Sequence, residues 1–172
     1  MASIDYFKSK IQEGLARPNR FAVSISIPRY PGFSRFGQDN VVILCDSASL
    51  PTSAITTQDD TMWGPGRKIP YNKAYDDLRL SFLCTTSMNE RAFFDQWQAL
   101  VINPSEFFVN YYDQYTADIT VTTLDEQDFP TYTIRCIEAY PLSVNAQELN
   151  SAETDTFLRL DVNFAYRYWV VV

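Results

Sequence analysis

The stretch FLRLDVNFAYRYWVVV, residues 157–172, decides the fold. Leu158, Leu160, Val162, Phe164, Tyr166, Tyr168 and Val170 hold its even positions, and Arg159, Asp161, Asn163 and Arg167 hold odd positions between them. Alternation of period two places the two sets on opposite faces of a β-strand, apolar against the core and polar away from it. The pattern predicts one strand running to Val172. Globular strands usually span about 5–6 residues. This one is out of scale for an isolated domain and reasonable for a strand paired within a larger assembly.

The same alternation recurs upstream. FAVSISIP (21–28) puts Phe21, Val23, Ile25 and Ile27 on one face, and DLRLSFLC (77–84) does so with Leu78, Leu80, Phe82 and Cys84. VVILC (41–45) is a continuous apolar run, expected as a strand buried on both faces or lying in an interface. FFVNYYDQ (107–114), ADITVTTLDE (117–126) and TYTIRCIEAY (131–140) are further strand candidates, the last two joined as a hairpin by an acidic turn at 125–128. YPLSV (140–144) reads as a short extended segment and NAQELNSAETD (145–155) as a polar connection.

Two helices are expected. Residues 3–13 form a short one, with Phe7 and Ile11 on one face and Gly14 as its stop. Ser87 and Glu90 make a capping box for the second. Its apolar stripe is Phe93, Trp97, Leu100 and Val101, and Asn103-Pro104 ends it. The fold class is therefore mainly β: about seven strands in a small β-barrel or sandwich, with one packed α-helix and a short N-terminal helix. The chain, residues 1–172, is read as a single domain. One segment stands apart, the long inter-strand loop at 46–75, rich in Pro and Gly and weakly alternating, with GRKIPY (66–71) reading as a short extended segment within it. At about thirty residues it exceeds the roughly 12–15 that a plain loop takes in a compact domain, so it is expected to be functional or ordered by a partner.

Composition narrows the chemistry. Aromatics at 15% favour a β protein with large cross-strand or intersubunit contacts. A net charge of −7 argues against wrapping DNA through neutralised phosphates. Histidine is absent, which removes Ser-His-Asp and Cys-His nucleophiles and every His-metal site. Cys45, Cys84 and Cys136 are odd in number and form no CxxC, so buried reduced thiols are expected. GPGRK (64–68) lacks phosphate-loop spacing and reads as a tight turn. Asp59-Asp60 and Asp76-Asp77 are adjacent in sequence, which does not hold two carboxylates at a catalytic separation. Asp125, Glu126 and Asp128 lack the EF-hand glycine and terminal Glu. Tyr111, Tyr112 and Tyr115 have few basic neighbours, so strand packing reads better than a base-stacking platform. No catalytic, cofactor or metal residue is assigned. The N-terminus lacks a signal peptide's apolar core, and no run reaches the roughly 18 apolar residues of a membrane helix.

With the elements placed, the chain resembles the tail tube protein of contractile-tailed (myovirus-type) bacteriophages. ARPNRF (16–21) resembles that family's opening, and CDSASLP (45–51) its turn out of the second strand. GRKIPY (66–71), followed by Tyr75-Asp76-Asp77-Leu78, resembles the return from its long loop. Phe94-x-x-Trp97-Gln98 resembles its helix core face, and Tyr140-Pro141 with Val144, Leu149 and the final strand to Tyr168-Trp169 resembles its C-terminal part. The match runs in order along nearly the whole chain, and the ordered set carries it rather than any one motif. The RYPGFSRFGQDN loop (29–40) and the extra Val170 to Val172 depart from the pattern and leave room for a baseplate tube initiator.

The resemblance implies a structural virion protein with no catalytic site and no cofactor. Its hexameric rings would join strands from six subunits into one β-barrel around a channel. The rings would stack as the inner tube within a contractile sheath, and double-stranded DNA would transit to the host without specific binding. Implied partners are other copies of the chain, the tail sheath, baseplate and tail terminator proteins; the implied location is the virion tail, assembled in the host bacterial cytoplasm. On this reading Met62, Trp63 and Ile69, with Trp169, Val170, Val171 and Val172, are ring-to-ring or subunit contact candidates. Trp169 and the valines after it are expected to seat on a neighbour. Phe93 and Trp97 pack the helix. Arg159, Asp161 and Asn163 are channel-face candidates, on a face that should be polar and not strongly basic because bound phosphates would stall transit. Alternatives are a tube initiator or a secretion- or bacteriocin-type ring of the same fold and, from a different class, an all-β carbohydrate-binding receptor module. An enzyme comes last.

Overall fold

Residues 157–172 find their partner in the longest strand of the molecule, and the fold is built around that pair. The computed structural model describes residues 4, 16–33, 42, 44–62, 64–150, 152 and 156–172. The expected helix at 3–13, apart from Ile4, lies outside the described residues, as do Trp63 and residues 34–41. Among the described residues the strands are β1 Phe21–Ile25, β2 Cys45–Ala48, β3 Ser53–Asp60, β4 Arg67–Tyr75, β5 Leu78–Leu83, β6 Ala117–Leu124, β7 Pro130–Val144, β8 Arg159–Ala165 and β9 Tyr168–Val171. The helices are α1 Asn89–Val101 and α2 Tyr112–Tyr115. Seven strands form one sheet in the order β1-β6-β7-β8-β5-β2, with β9 also on β7; β3 and β4 form a separate two-stranded sheet.

β7 is the spine. Its first half pairs β6 on one side and β9 on the other, with Ile134 facing Val171 and Cys136 facing Trp169. Further along it pairs β8, with Tyr140 facing Ala165 and Pro141 facing Phe164. The register is the same on both sides of the gap. The C-terminal stretch thus runs along one partner, but as two strands rather than one. The ladder breaks at Tyr166 and Arg167, level with Ala139 and Glu138. Glu138 takes a φ of 57°, the left-handed conformation that kinks a strand at a bulge.

The buried parity switches at this level on both strands. On β7 it passes from Ile134 and Cys136 to Ala139 and Pro141. On the C-terminal side Leu160, Val162 and Phe164 are fully buried, but beyond the break Trp169 packs on the core while Tyr168 and Val170 turn outward. Uniform alternation to Val170 therefore fails, because a kink shifts the pleat by one position and moves every later side chain to the other face.

Both halves of the bent sheet feed one core. Val23, Ile25, Ile119, Val121 and Ile134 come from one half, and Leu78, Leu80, Phe82, Leu160, Val162 and Phe164 from the other. Helix α1 packs against it with Phe93, Phe94 and Trp97, each at most 1% exposed. The Phe94 ring lies 5.1 Å from Phe82 and 5.8 Å from Phe164. The Trp97 Nε1–H donates to the Tyr115 carbonyl at 2.7 Å, which fixes α2 beside α1. Each such buried aromatic stabilises the fold by about 1.5–3 kcal/mol.

Three local expectations change. Ser87 does not cap α1: the cap position is Met88, left-handed at φ 53° and with no side-chain cap bond. Fully buried Glu90 instead accepts from the Thr85 N–H at 3.1 Å and the Thr85 hydroxyl at 3.0 Å, reaching past the turn that Ser87 would have closed. Residues 107–114 are not a strand. Phe107 is left-handed at φ 55°, one isolated bridge joins Ile102 to Val109, and α2 follows. Of the apolar run 41–45, Val41 and Ile43 lie outside the described residues, and the rest does not form the expected continuous strand. Val42 is helical, Leu44 lies in a turn, and pairing begins at Cys45 in a four-residue edge strand. A short apolar run has no period that separates helix from strand.

Candidate assembly surfaces

The stretch 46–75 folds instead as the end of β2 followed by a hairpin arm. β3 pairs β4 from Ser53 opposite Tyr75 to Asp60 opposite Arg67. The register slips between Thr56 and Thr57, where Pro70 on β4 has no N–H to give the ladder. Nearly every residue of both strands is exposed on both faces, so the segment has no buried side and its sequence shows no alternation. A two-stranded ribbon without a third strand or a helix behind it is marginal in water.

The arm is held at its base and closed at its tip. At the base the Tyr75 ring meets Tyr166 at 6.1 Å, and the Lys73 ammonium sits 5.2 Å from the Tyr75 ring and 5.1 Å from the Trp169 ring. The Thr52 hydroxyl donates to Asp76 at 2.8 Å. At the tip the Arg67 guanidinium grips Asp60 with two bonds of 3.1 and 3.0 Å, and Gly64 supplies a φ of 78° that a side chain would resist. Along the arm Met62 is 86% exposed and Ile69 43%, with Ile55 and Tyr71 between these values. Sequence reasoning missed Ile55 and Tyr71. The β-branched run at 55–57 was the available signal.

Arg159, Asp161 and Asn163 share the outer face of β8. Asp161 accepts from the Ser81 hydroxyl at 2.5 Å, Asn163 donates to Ser143 at 2.9 Å, and Arg159 pairs with Asp46 at 3.1 Å. Asp161 and Asn163 line an open recess of about 560 Å³ with Ser47, Ser49, Arg79 and Ser81. Arg79 and Arg159 are balanced in number by Asp46 and Asp161, so the face is polar without being strongly basic.

The C-terminal end pairs with its own chain. β9 lies on β7, and the Val172 N–H donates to the Thr133 carbonyl at 3.0 Å. Trp169 packs partly on its own core, and its buried Nε1–H has no hydrogen-bond partner among the described residues. Val171 and Val172 keep exposed side chains. The aromatic segment is divided too: Tyr115 is buried against Tyr140, with ring centroids 5.5 Å apart, while Tyr111 is 81% exposed.

The described residues hold no group of three or more His, Cys, Asp or Glu that could bind a metal ion, and no helix among them is long and apolar enough to cross a membrane. Burial pushes the Cys136 thiol up to about 12 and the Cys45 thiol up to about 11, and raises Cys84. These are weak nucleophiles at neutral pH.

Comparison with known proteins gives these surfaces a context. A family model described as phage tail tube protein matches residues 16–172. The chain is 25% identical to a tail tube protein of Serratia phage KSP90, over 96% of this chain and 95% of that one. Its fold is similar to a chain of the sheath–tube complex of the PVC extracellular contractile injection system, at TM-score 0.66 and 17% identity, covering 95% of this chain and 96% of that. It is similar to a chain of the anti-feeding prophage baseplate at TM-score 0.65 and 14% identity, covering 92% and 96%. A chain of the PVC sheath/tube terminator matches at TM-score 0.65 and 15% identity, covering 94% and 99%.

Proposed function

We propose, from the premise that this chain belongs to the phage tail tube protein family, that its copies close into hexameric rings and stack as the inner tube of a contractile tail. The protein is a structural component of the virion tail. The single observation that carries the assembly reading is the β3–β4 arm, a ribbon exposed on both faces that holds Ile55, Met62, Ile69 and Tyr71 open with no covering element among the described residues. A contractile machine is supported by the similar folds in a contractile sheath–tube complex and a six-fold baseplate. Those contexts also point to sheath, baseplate and terminator proteins as partners.

Met62 and Ile69 on the arm, with Trp63 beside them in sequence, supply contacts between copies. Val170, Val171 and Val172 add an apolar rim. The β8 face with Arg159, Asp161 and Asn163 lines the channel. Its acids match its cations in number, so double-stranded DNA meets a polar wall that does not bind phosphate. A charge of −7 on every copy repels DNA and keeps it moving into the host. Assembly takes place in the host bacterial cytoplasm, where the three thiols stay reduced.

The test is assembly of the purified protein at high concentration, read by negative-stain imaging. The unsubstituted chain should give hollow tubes, and Ile69→Ser with Tyr71→Ser should leave a folded subunit that forms none. A wild-type chain that stays monomeric at every concentration, or an arm variant that polymerises normally, overturns the reading.

A further inference from the structure

A second exposed apolar surface follows the C-terminal end of α1. Residues 102–109 are all exposed, with Phe107 79%, Phe108 68% and Val109 64% open, and Tyr111 follows at 81%. The segment is not slack. The Asn103 carbonyl accepts from the Phe107 N–H at 2.8 Å, the Asn103 N–H donates to Phe108 O at 3.1 Å, and the Asn110 amide donates to Leu100 O at 2.5 Å. These bonds hold Phe107 at a φ of 55°, which costs an aromatic residue about 1 kcal/mol or more and persists only when the surroundings impose it. The strain presents two phenylalanine rings to solvent, where burial returns nothing to the lone subunit.

The two exposed surfaces carry opposite charge. The arm, residues 53–75, has Arg67, Lys68 and Lys73 against Asp59 and Asp60, in a chain whose net charge is −7. Residues 102–113 carry Glu106 and Asp113, both exposed, and no basic residue. A single chain that builds an open or ring-shaped polymer needs two different complementary patches, because a head-to-tail contact joins unlike surfaces. We propose that the β3–β4 arm of one copy docks on the Phe107–Tyr111 segment of a neighbouring copy, with Ile69 and Tyr71 against Phe107 and Phe108, and Lys68 toward Glu106 and Asp113. The pairing rests on the tube reading and names the surface that receives the arm.

Two copies test it, one carrying Ile69→Cys and the other Phe108→Cys with a tag that changes its mass. They are co-assembled, oxidised and run on non-reducing gels. A mixed-mass disulfide dimer at least about tenfold above either single-variant control supports the pairing. Tubes that form without that dimer overturn the pairing and leave the tube reading intact. An unsubstituted chain that does not assemble overturns both. Independently, Glu106→Lys with Asp113→Lys should raise the concentration needed for assembly at least about tenfold, since like charges facing each other repel. Adding Lys68→Glu should recover part of it, and unchanged assembly of the two-site variant overturns the charge match.

Discussion

Arg167 donates from one guanidinium nitrogen to both carboxylate oxygens of Glu138, at 3.3 and 3.4 Å, across the level where β7 and the C-terminal strands both change the face they bury. The Arg167 backbone N–H adds a bond to the Ile137 carbonyl at 3.1 Å. One residue of each strand thus marks the corner at which the sheet bends. The Arg167 side chain is 67% exposed, so water screens the ion pair and the left-handed backbone at Glu138 sets the geometry.

Substitution at the corner should separate these two contributions. Arg167→Ala should cost less than about 1 kcal/mol, as exposed pairs do. Glu138→Gly should be close to neutral, since relief of the left-handed strain offsets the lost pair. Glu138→Val should cost more than either, because a β-branched residue resists positive φ. Urea unfolding of the subunit in dilute solution ranks the three, and a Val variant as stable as wild type would disprove the bulge assignment.

The turn before α1 makes a second prediction. Glu90→Ala leaves the Thr85 N–H and hydroxyl without their acceptor and should cost about 1–3 kcal/mol. Glu90→Gln, which keeps one carbonyl oxygen, should cost less. Ser87→Ala should fall within about 0.5 kcal/mol, because Ser87 caps nothing at the helix start. Thermal melts in that order support the reach-back to Thr85; a larger loss at Ser87 than at Glu90 would restore the capping box.

Deleting Val170 to Val172 should destabilise the subunit itself. It removes the pairing of Val170 with Arg135 and Val171 with Ile134, and the bond from the Val172 N–H to Thr133. Net hydrogen-bond contributions near 1 kcal/mol each put the loss at about 1–3 kcal/mol. Hydrogen exchange should show faster opening of Ile134 to Ile137. Unchanged protection there would mean that β9 does not hold the edge of β7.

The thiols predict the response to pH. In the folded chain Cys45 and Cys136 ionise at about 11 and about 12, against 9.0 for the ordinary group, first because burial disfavours the thiolate. A raised folded value means that the unfolded chain loses its protons first. The associated stability is complete below about pH 9 and falls as pH rises from 9 toward 12. Native protein should therefore react slowly with a thiol reagent at pH 8 and quickly once denaturant is added. Equal rates in both states would contradict the burial of these sulfurs.

Much of the fold was legible because it rests on one buried face per strand. Val23 and Ile25, Leu78 to Phe82, and Leu160 to Phe164 alternate because water is excluded from one side of each strand, and that constraint is written into the residues. The arm was illegible for the converse reason. Neither face of β3 or β4 is covered within the subunit, so their alternation is weak, and beyond the short extended GRKIPY only the ladder reveals strands where composition suggested a loop. The candidate assembly surfaces divide in the same way: the polar residues of β8 could be read from parity, while the exposed Phe107 and Phe108 looked like part of a strand.

By itself the sequence determined the class, a mainly β subunit with one helix against its core, and the polar character of the β8 face, because side-chain parity is a local property of an extended chain. Tertiary structure alone decided where FLRLDVNFAYRYWVVV breaks. Glu138, on a different strand, kinks β7, and the C-terminal stretch follows β7 around the corner. That bend turns Trp169 inward and Tyr168 outward. A register between distant segments decides it, and no window of sequence contains both partners.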